Sequence, residues 1–162
     1  MGYHSTASYY GGTALGWYSS AGDFGSTALG YYANAAGTGA VAIGYSATGS
    51  GNYTTALGQS TTATAFNSTV TGRFNLGGGN PYTWVSTDAL LEIGNGADAT
   101  HKADALIIYK NGNATLQGTM TTTGLTTSGT ITSSGTITVT GSGGFMTTAT
   151  SVSATDLPMF GH

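Results

Sequence analysis

The residues that could do chemistry are few and scattered. The three histidines, His4, His101 and His162, are far apart and lack ligand spacing such as H-x-x-x-H. There is no cysteine, so there is neither a thiolate ligand nor a disulfide framework. Asp98, His101 and Asp104 could together touch a metal, but they read as a solvated loop. No Gly-x-Ser-x-Gly elbow lies between a strand and a helix, and no P-loop is present. A calcium β-roll needs a recurring Gly-Gly-x-Gly-x-Asp, whereas Asp23 is the only charge between residues 11 and 72. No catalytic residue, cofactor or metal is expected, and the chain does not read as an enzyme. What recurs instead is aromatic: Tyr3, Trp17, Tyr31 and Tyr45, with Tyr18 and Tyr32 beside them. Aromatic faces stack on sugar rings and on bases, so Trp17, Tyr18, Tyr31, Tyr32 and Tyr45 form a candidate ligand-binding face. The other reading is that these rings pack on each other, or between chains.

The elements that position the rings come from a repeat. Gly2, Gly16, Gly30, Gly44, Gly58 and Gly72 fall at a fixed spacing of fourteen. The words before them match: Thr13-Ala14-Leu15, Thr27-Ala28-Leu29, Val41-Ala42-Ile43 and Thr55-Ala56-Leu57, decaying to Thr69-Val70-Thr71. A fixed period means a stacked repeat architecture. Fourteen residues are too few for a helix pair but suffice for two strands of about five residues and two tight turns. Each repeat is then one coil of a parallel β-roll. Side chains alternate between faces, so Leu29 shares a face with Thr27 and Tyr31, and Ala28 lies opposite. The larger apolar column, Leu15, Leu29, Ile43 and Leu57, is the expected inside of the roll and the expected packing surface. The small Ala/Gly column permits close approach of a neighbouring sheet.

The segment Gly30-Tyr-Tyr-Ala-Asn-Ala-Ala-Gly-Thr-Gly-Ala-Val-Ala-Ile-Gly44 resembles the head repeat of YadA-like trimeric autotransporter adhesins, over roughly residues 2 to 72. The same repeat occurs in phage tail fibres and other trimeric surface fibres. The resemblance implies a left-handed parallel β-roll, with three chains side by side around a fibre axis, and a role in adhesion rather than catalysis. The chain begins within the array, as a piece of a longer fibre would.

Residues 1–72 are thus expected to be head repeats. Residues 73–118 change character, holding seven of the nine Lys, Arg, Asp and Glu residues. Asn111-Gly112 between two apolar runs predicts a hairpin. Glu92-Ile93-Gly94-Asn95-Gly96 and Tyr109-Lys110-Asn111-Gly112-Asn113 resemble the connecting module that follows such repeats in tail-fibre-like proteins. The neck motif of the adhesins is absent, which favours the tail-fibre reading. Residues 119–144 carry a glycine every five or six positions with Thr between, and one Leu or Ile per unit: Leu125, Ile131 and Ile137. One chain cannot bury a core from these, but three wound together can. This resembles the intertwined shaft of a trimeric viral fibre. Residues 145–162 read as a terminal cap or the stump of a further domain.

Composition supports the same fold class, all-β. Charged residues make up 6% of the chain, against about 25% in ordinary globular domains. The apolar surface left over is then expected to be buried between identical chains. With a net charge of −3 and no basic cluster, nucleic acid is excluded as the expected partner. No stretch has the length of a transmembrane helix or the pattern of a signal peptide, so no membrane contact is expected within this chain. The functional expectation is a homotrimeric extracellular fibre, part of a phage tail fibre or a bacterial surface adhesin, attaching to a cell-surface glycan or receptor. The alternative is a structural filament without a specific ligand. Ice binding ranks below both, because the one Thr column (Thr13, Thr27, Thr55, Thr69) is broken by Val41.

Overall fold

To close one circuit in fourteen residues, the backbone must turn back twice, and little is left for straight strand. In the computed structural model, which describes residues 2–122, each coil keeps one strand of two residues and one of three to five. The expected five-residue strands are therefore mostly shorter, because the corners take the difference. Five coils are formed by β1 (Thr6–Ala7) and β2 (Thr13–Leu15), β3 (Ser20–Ala21) and β4 (Thr27–Leu29), β5 (Asn34–Ala35) and β6 (Val41–Ile43), β7 (Thr48–Gly49) and β8 (Thr55–Gln59), and β9 (Thr62–Ala63) and β10 (Thr69–Arg73). The odd strands stack into one five-stranded parallel sheet. The even strands stack in parallel into the second sheet, with Thr27 opposite Thr13 and Val41, and Leu29 opposite Leu15 and Ile43. The described residues are all-β and contain no helix.

The inside of the coil is not what the larger side chains suggest. Ala28, Ala42, Ala56 and Val70 from one sheet and Ala21, Ala35 and Ala63 from the other are fully buried. The Leu/Ile column points the other way: Leu15 is 53% exposed and Ile43 38%, and Leu29 and Leu57 are half-buried. The expectation that Leu15, Leu29, Ile43 and Leu57 fill the roll is corrected here. Alanine methyl groups fill the gap between the two sheets through the first four coils, and a larger side chain, Val70, enters it only at the fifth. The interior corners are lined by Ser19, Ser26, Ala33, Ala40, Ala47, Thr54 and Thr61, all buried.

The fourteen-spaced glycines hold the stacking distance. A Cβ on Gly44 would sit 2.0 Å from the carbonyl oxygen of Gly58, and one on Gly30 would sit 2.3 Å from that of Gly44. These glycines also adopt φ of +133° to +134°, a region that side chains disfavour. The ladder does not end at Gly72, where a Cβ would meet the oxygen of Gly94 at 2.2 Å.

That contact marks a sixth rung. β11 (Ala89–Asn95) pairs in parallel with β10, placing Leu91, Glu92, Ile93 and Gly94 beside Thr69, Val70, Thr71 and Gly72. β12 (Asp104–Tyr109) then pairs antiparallel with β11, and β13 (Ala114–Leu116) antiparallel with β12. The sheet thus changes from parallel to antiparallel pairing at β11. Its order is β13-β12-β11-β10-β8-β6-β4-β2. The expected shaft, its packing residues Leu125, Ile131 and Ile137, and the 145–162 cap lie outside the described residues, apart from residues 119–122, which form no strand.

Candidate functional site

Each coil makes its corner with a glycine followed, two residues later, by a residue in the left-handed region. His4, Tyr18 and Tyr32 have φ of 53°, 53° and 54°, and Ser46 and Ser60 continue the column. A non-glycine residue there costs on the order of 1 kcal/mol. The corner throws two adjacent side chains outward, at the positions of Tyr31 and Tyr32 and of Trp17 and Tyr18. Coils about 4.8 Å apart then bring equivalent rings into contact. Tyr18 stacks on Tyr32 with centroids 5.2 Å apart and planes 4° from parallel. Tyr31 stacks on Tyr45 at 5.2 Å and 10°. His4 stacks on Tyr18 at 4.8 Å, and Tyr3 lies tilted against Trp17 at 4.5 Å. The two columns are joined by Tyr31 against Tyr32, edge to face at 4.7 Å.

The structure therefore brings Trp17, Tyr18, Tyr31, Tyr32 and Tyr45 together on one exposed face, between 41% and 55% accessible. Ring packing up the solenoid and solvent exposure hold at once. The geometry restricts what the face can do. Tyr18 and Tyr32, and Tyr31 and Tyr45, turn their ring faces towards one another, so a ligand at these pairs meets mainly ring edges and phenol hydroxyls. The aromatic columns end where Ser46 and Gln59 take over the two positions. Sequence reasoning missed a second aromatic strip, where Tyr9 and Tyr10 contact Phe24 and, farther along, Tyr53 contacts Phe66. Its signal was a further fourteen-residue spacing, from Tyr10 to Phe24, resumed at Phe66 after Thr38 and Asn52.

The Asp98, His101, Asp104 set comes apart. Asp98 and His101 share an exposed turn, with Asp98 Oδ1 2.9 Å from His101 Nδ1. The Thr100 hydroxyl, donating to Asp98 Oδ1 at 2.7 Å, and then His101 hold the Asp98 carboxyl down at about 2. Thr100 and Asp98 both meet Nδ1, so the ring relays no proton between them. Asp104 is buried elsewhere, accepting from the Leu76 amide. Among the described residues no three His, Cys, Asp or Glu side chains are grouped to hold a metal.

The other buried carboxylate is Glu92. It occupies the core column held by Ala14, Ala28, Ala42, Ala56 and Val70. Asn75 Nδ2 donates to its Oε2 at 2.6 Å, and the Gly77 amide donates at 3.1 Å. Burial pushes the Glu92 carboxyl up despite these donors, and the Asp104 charge adds to the rise. Burial likewise raises Asp104. Nothing in the fourteen-residue spacing announced this pair, because Glu92 enters the ladder after an insertion.

Two stretches of the solenoid, residues 24–47 and 50–75, match the family model of the YadA head domain repeat, as two copies. These two stretches are similar to YadA head repeats. The match spans the coils in which Tyr31, Tyr32 and Tyr45 project and in which Ile43 and Leu57 face outward. Neither the curated proteins nor the solved structures contain a match to the chain. The matched residues form a β-solenoid, and the buried alanine columns and glycine ladder are its physical basis.

Proposed function

We propose that the chain is a segment of a homotrimeric extracellular fibre that attaches its bearer to a cell surface. The observation that carries this reading is the outward Leu/Ile column. Leu15, Leu29, Ile43 and Leu57 form an apolar row on the outer face of a parallel sheet, beside the Thr13, Thr27, Val41 and Thr55 row. A lone chain gains nothing from exposing it, and large exposed apolar patches mark interaction surfaces. Resemblance to YadA-like adhesins implies three chains side by side, and three copies of this face are the natural cover for one another. Leu125, Ile131 and Ile137 would continue the contact along a shaft over residues 119–144, with 73–118 as the connector. The bearer is a phage tail or a bacterial surface.

In this reading attachment is multivalent. Three identical faces raise the effective concentration of each for its receptor. The ladder of Trp17, Tyr18, Tyr31, Tyr32 and Tyr45 offers its ring edges and hydroxyls as the contact surface for a glycan or protein receptor. The test is the solution mass of the native chain beside that of Leu29→Asp/Ile43→Asp. A trimer reduced to monomer by the double substitution supports the reading. Equal masses for the two proteins would refute it.

A further inference from the structure

The outward Leu/Ile row does not stop at the last coil. Thr71 follows Leu57 in it, and the pairing register then carries it on: Ile93 lies beside Thr71, Leu106 beside Ile93, and Leu116 beside Leu106. The adjoining row, Thr55 and Thr69 in the last two coils, continues through Leu91, Ile108 and Ala114. Paired residues of neighbouring strands point to the same face of a sheet, and successive residues to opposite faces. Glu92 and its partner Ile107 take the inner face, where both line one cavity. Leu91, Ile93, Leu106 and Ile108 therefore face outward, on the same side as Leu29 and Ile43.

This end of the sheet is more apolar than the coils. Each coil sets a Leu or Ile row beside a row that is Thr in all but one coil, whereas β11 and β12 place Leu or Ile in both rows. Residues 73–118 nevertheless hold seven of the nine Lys, Arg, Asp and Glu residues of the chain. None of the seven falls in either row. Arg73 lies two residues beyond Thr71, between Gln59 and Asn95 of the adjacent strands, and gives the face a polar margin. An apolar centre without charge beside a polar rim is the make-up of a protein–protein contact. In the single chain Leu91, Ile93, Leu106 and Ile108 are only half-buried, and Leu116 is 47% exposed.

We infer that the outer face of β11, β12 and β13 is an interface between copies of this chain, so that the segment after the solenoid clamps the copies together as well as connecting. The inference rests on the fibre reading above and extends it past the coils. The occupant is a second copy because the face continues, in the same sheet and on the same side, the row that the fibre reading gives to chain–chain contact. Two Leu/Ile rows remove more apolar area from water than one, which makes this end the firmer part of the contact.

Leu91→Thr/Ile108→Thr tests it gently, because it gives β11 and β12 the Thr row that the coils already carry in the same sheet. Light scattering over a dilution series, in a fixed sub-denaturing urea concentration, gives the chain concentration at which half of the native trimer has dissociated. The double substitution should raise that concentration at least tenfold and leave the circular dichroism spectrum unchanged. If the spectrum changes, Leu116→Thr at the exposed edge strand takes its place, and a shift in the same direction is expected. A trimer whose dissociation is unaltered would leave this face to another occupant and overturn the inference, while the fibre reading stands. A native chain that is a monomer throughout would overturn both.

Discussion

Asn75 stands in for a missing strand beside Thr62. Its Oδ1 accepts from the Thr62 amide at 2.7 Å, and its Nδ2 donates to the Thr62 carbonyl at 3.0 Å. In earlier coils the equivalent amides of Ser20, Asn34 and Thr48 donate to the backbone carbonyls of Ala33, Ala47 and Thr61. A side-chain amide thus closes the edge of the five-stranded sheet where the repeat gives way to the insertion. Asn75→Ala leaves the Thr62 amide and the Glu92 carboxylate short of partners. It should destabilise the protein by about 1–3 kcal/mol and speed amide exchange at Thr62 ahead of Ser20 and Asn34. Chemical denaturation and hydrogen exchange measure both. Unchanged exchange at Thr62 would show that Asn75 is not the cap.

Glu92 gives the end of the solenoid a pH dependence of predictable sign. Its carboxyl, like that of Asp104, is raised by burial in the folded state. The folded chain therefore holds protons that the unfolded chain releases. The contribution of these two groups to stability is highest below their ordinary carboxylate values of 4.5 and 3.8. It falls as pH rises from there through the raised folded values, then levels off. Glu92→Gln keeps an acceptor for Asn75 but has nothing to ionise. It should flatten this part of the Tm–pH profile and raise Tm at neutral pH. A steeper profile in the Gln protein would contradict the assignment.

Two glycines separate strain from collision. Gly44 has φ +134°, and a Cβ there would strike the Gly58 carbonyl oxygen at 2.0 Å. Gly25 has φ +62°, and a Cβ there meets nothing within 4 Å. Tyr53 and Asn67 already occupy the Gly25 position in later coils, both at φ 58°. Gly25→Ala should cost about 1 kcal/mol, and Gly44→Ala more than about 3 kcal/mol because the backbone of two coils must part. Thermal unfolding of the two single variants decides it. Equal losses would mean that the glycine ladder does not set the coil spacing.

The period, the parallel stacking and the alternation of faces were all legible in the spacing of Gly16, Gly30, Gly44 and Gly58. Which face is inside was not. Alternation separates Ala28 from Leu29 but does not say which one points inward. The usual preference for burying the larger apolar residue fails because alanine methyls already fill the gap between the sheets in the first four coils. The rung at Gly94 was hidden because the insertion breaks the spacing after Gly72, and because Glu92 is an unexpected occupant of an alanine column. The aromatic face was legible as a column; its face-to-face stacking needed the coil geometry, which turns Tyr18 towards Tyr32.

In the proposed fibre, the Leu15, Leu29, Ile43 and Leu57 row faces other copies of the chain. Light scattering coupled to size exclusion tests it most directly. The expected native mass is three times 16.1 kDa, stable to dilution, falling to one chain for Leu29→Asp/Ile43→Asp. A native chain that runs as a monomer would contradict it, and large polydisperse species would point instead to a structural filament.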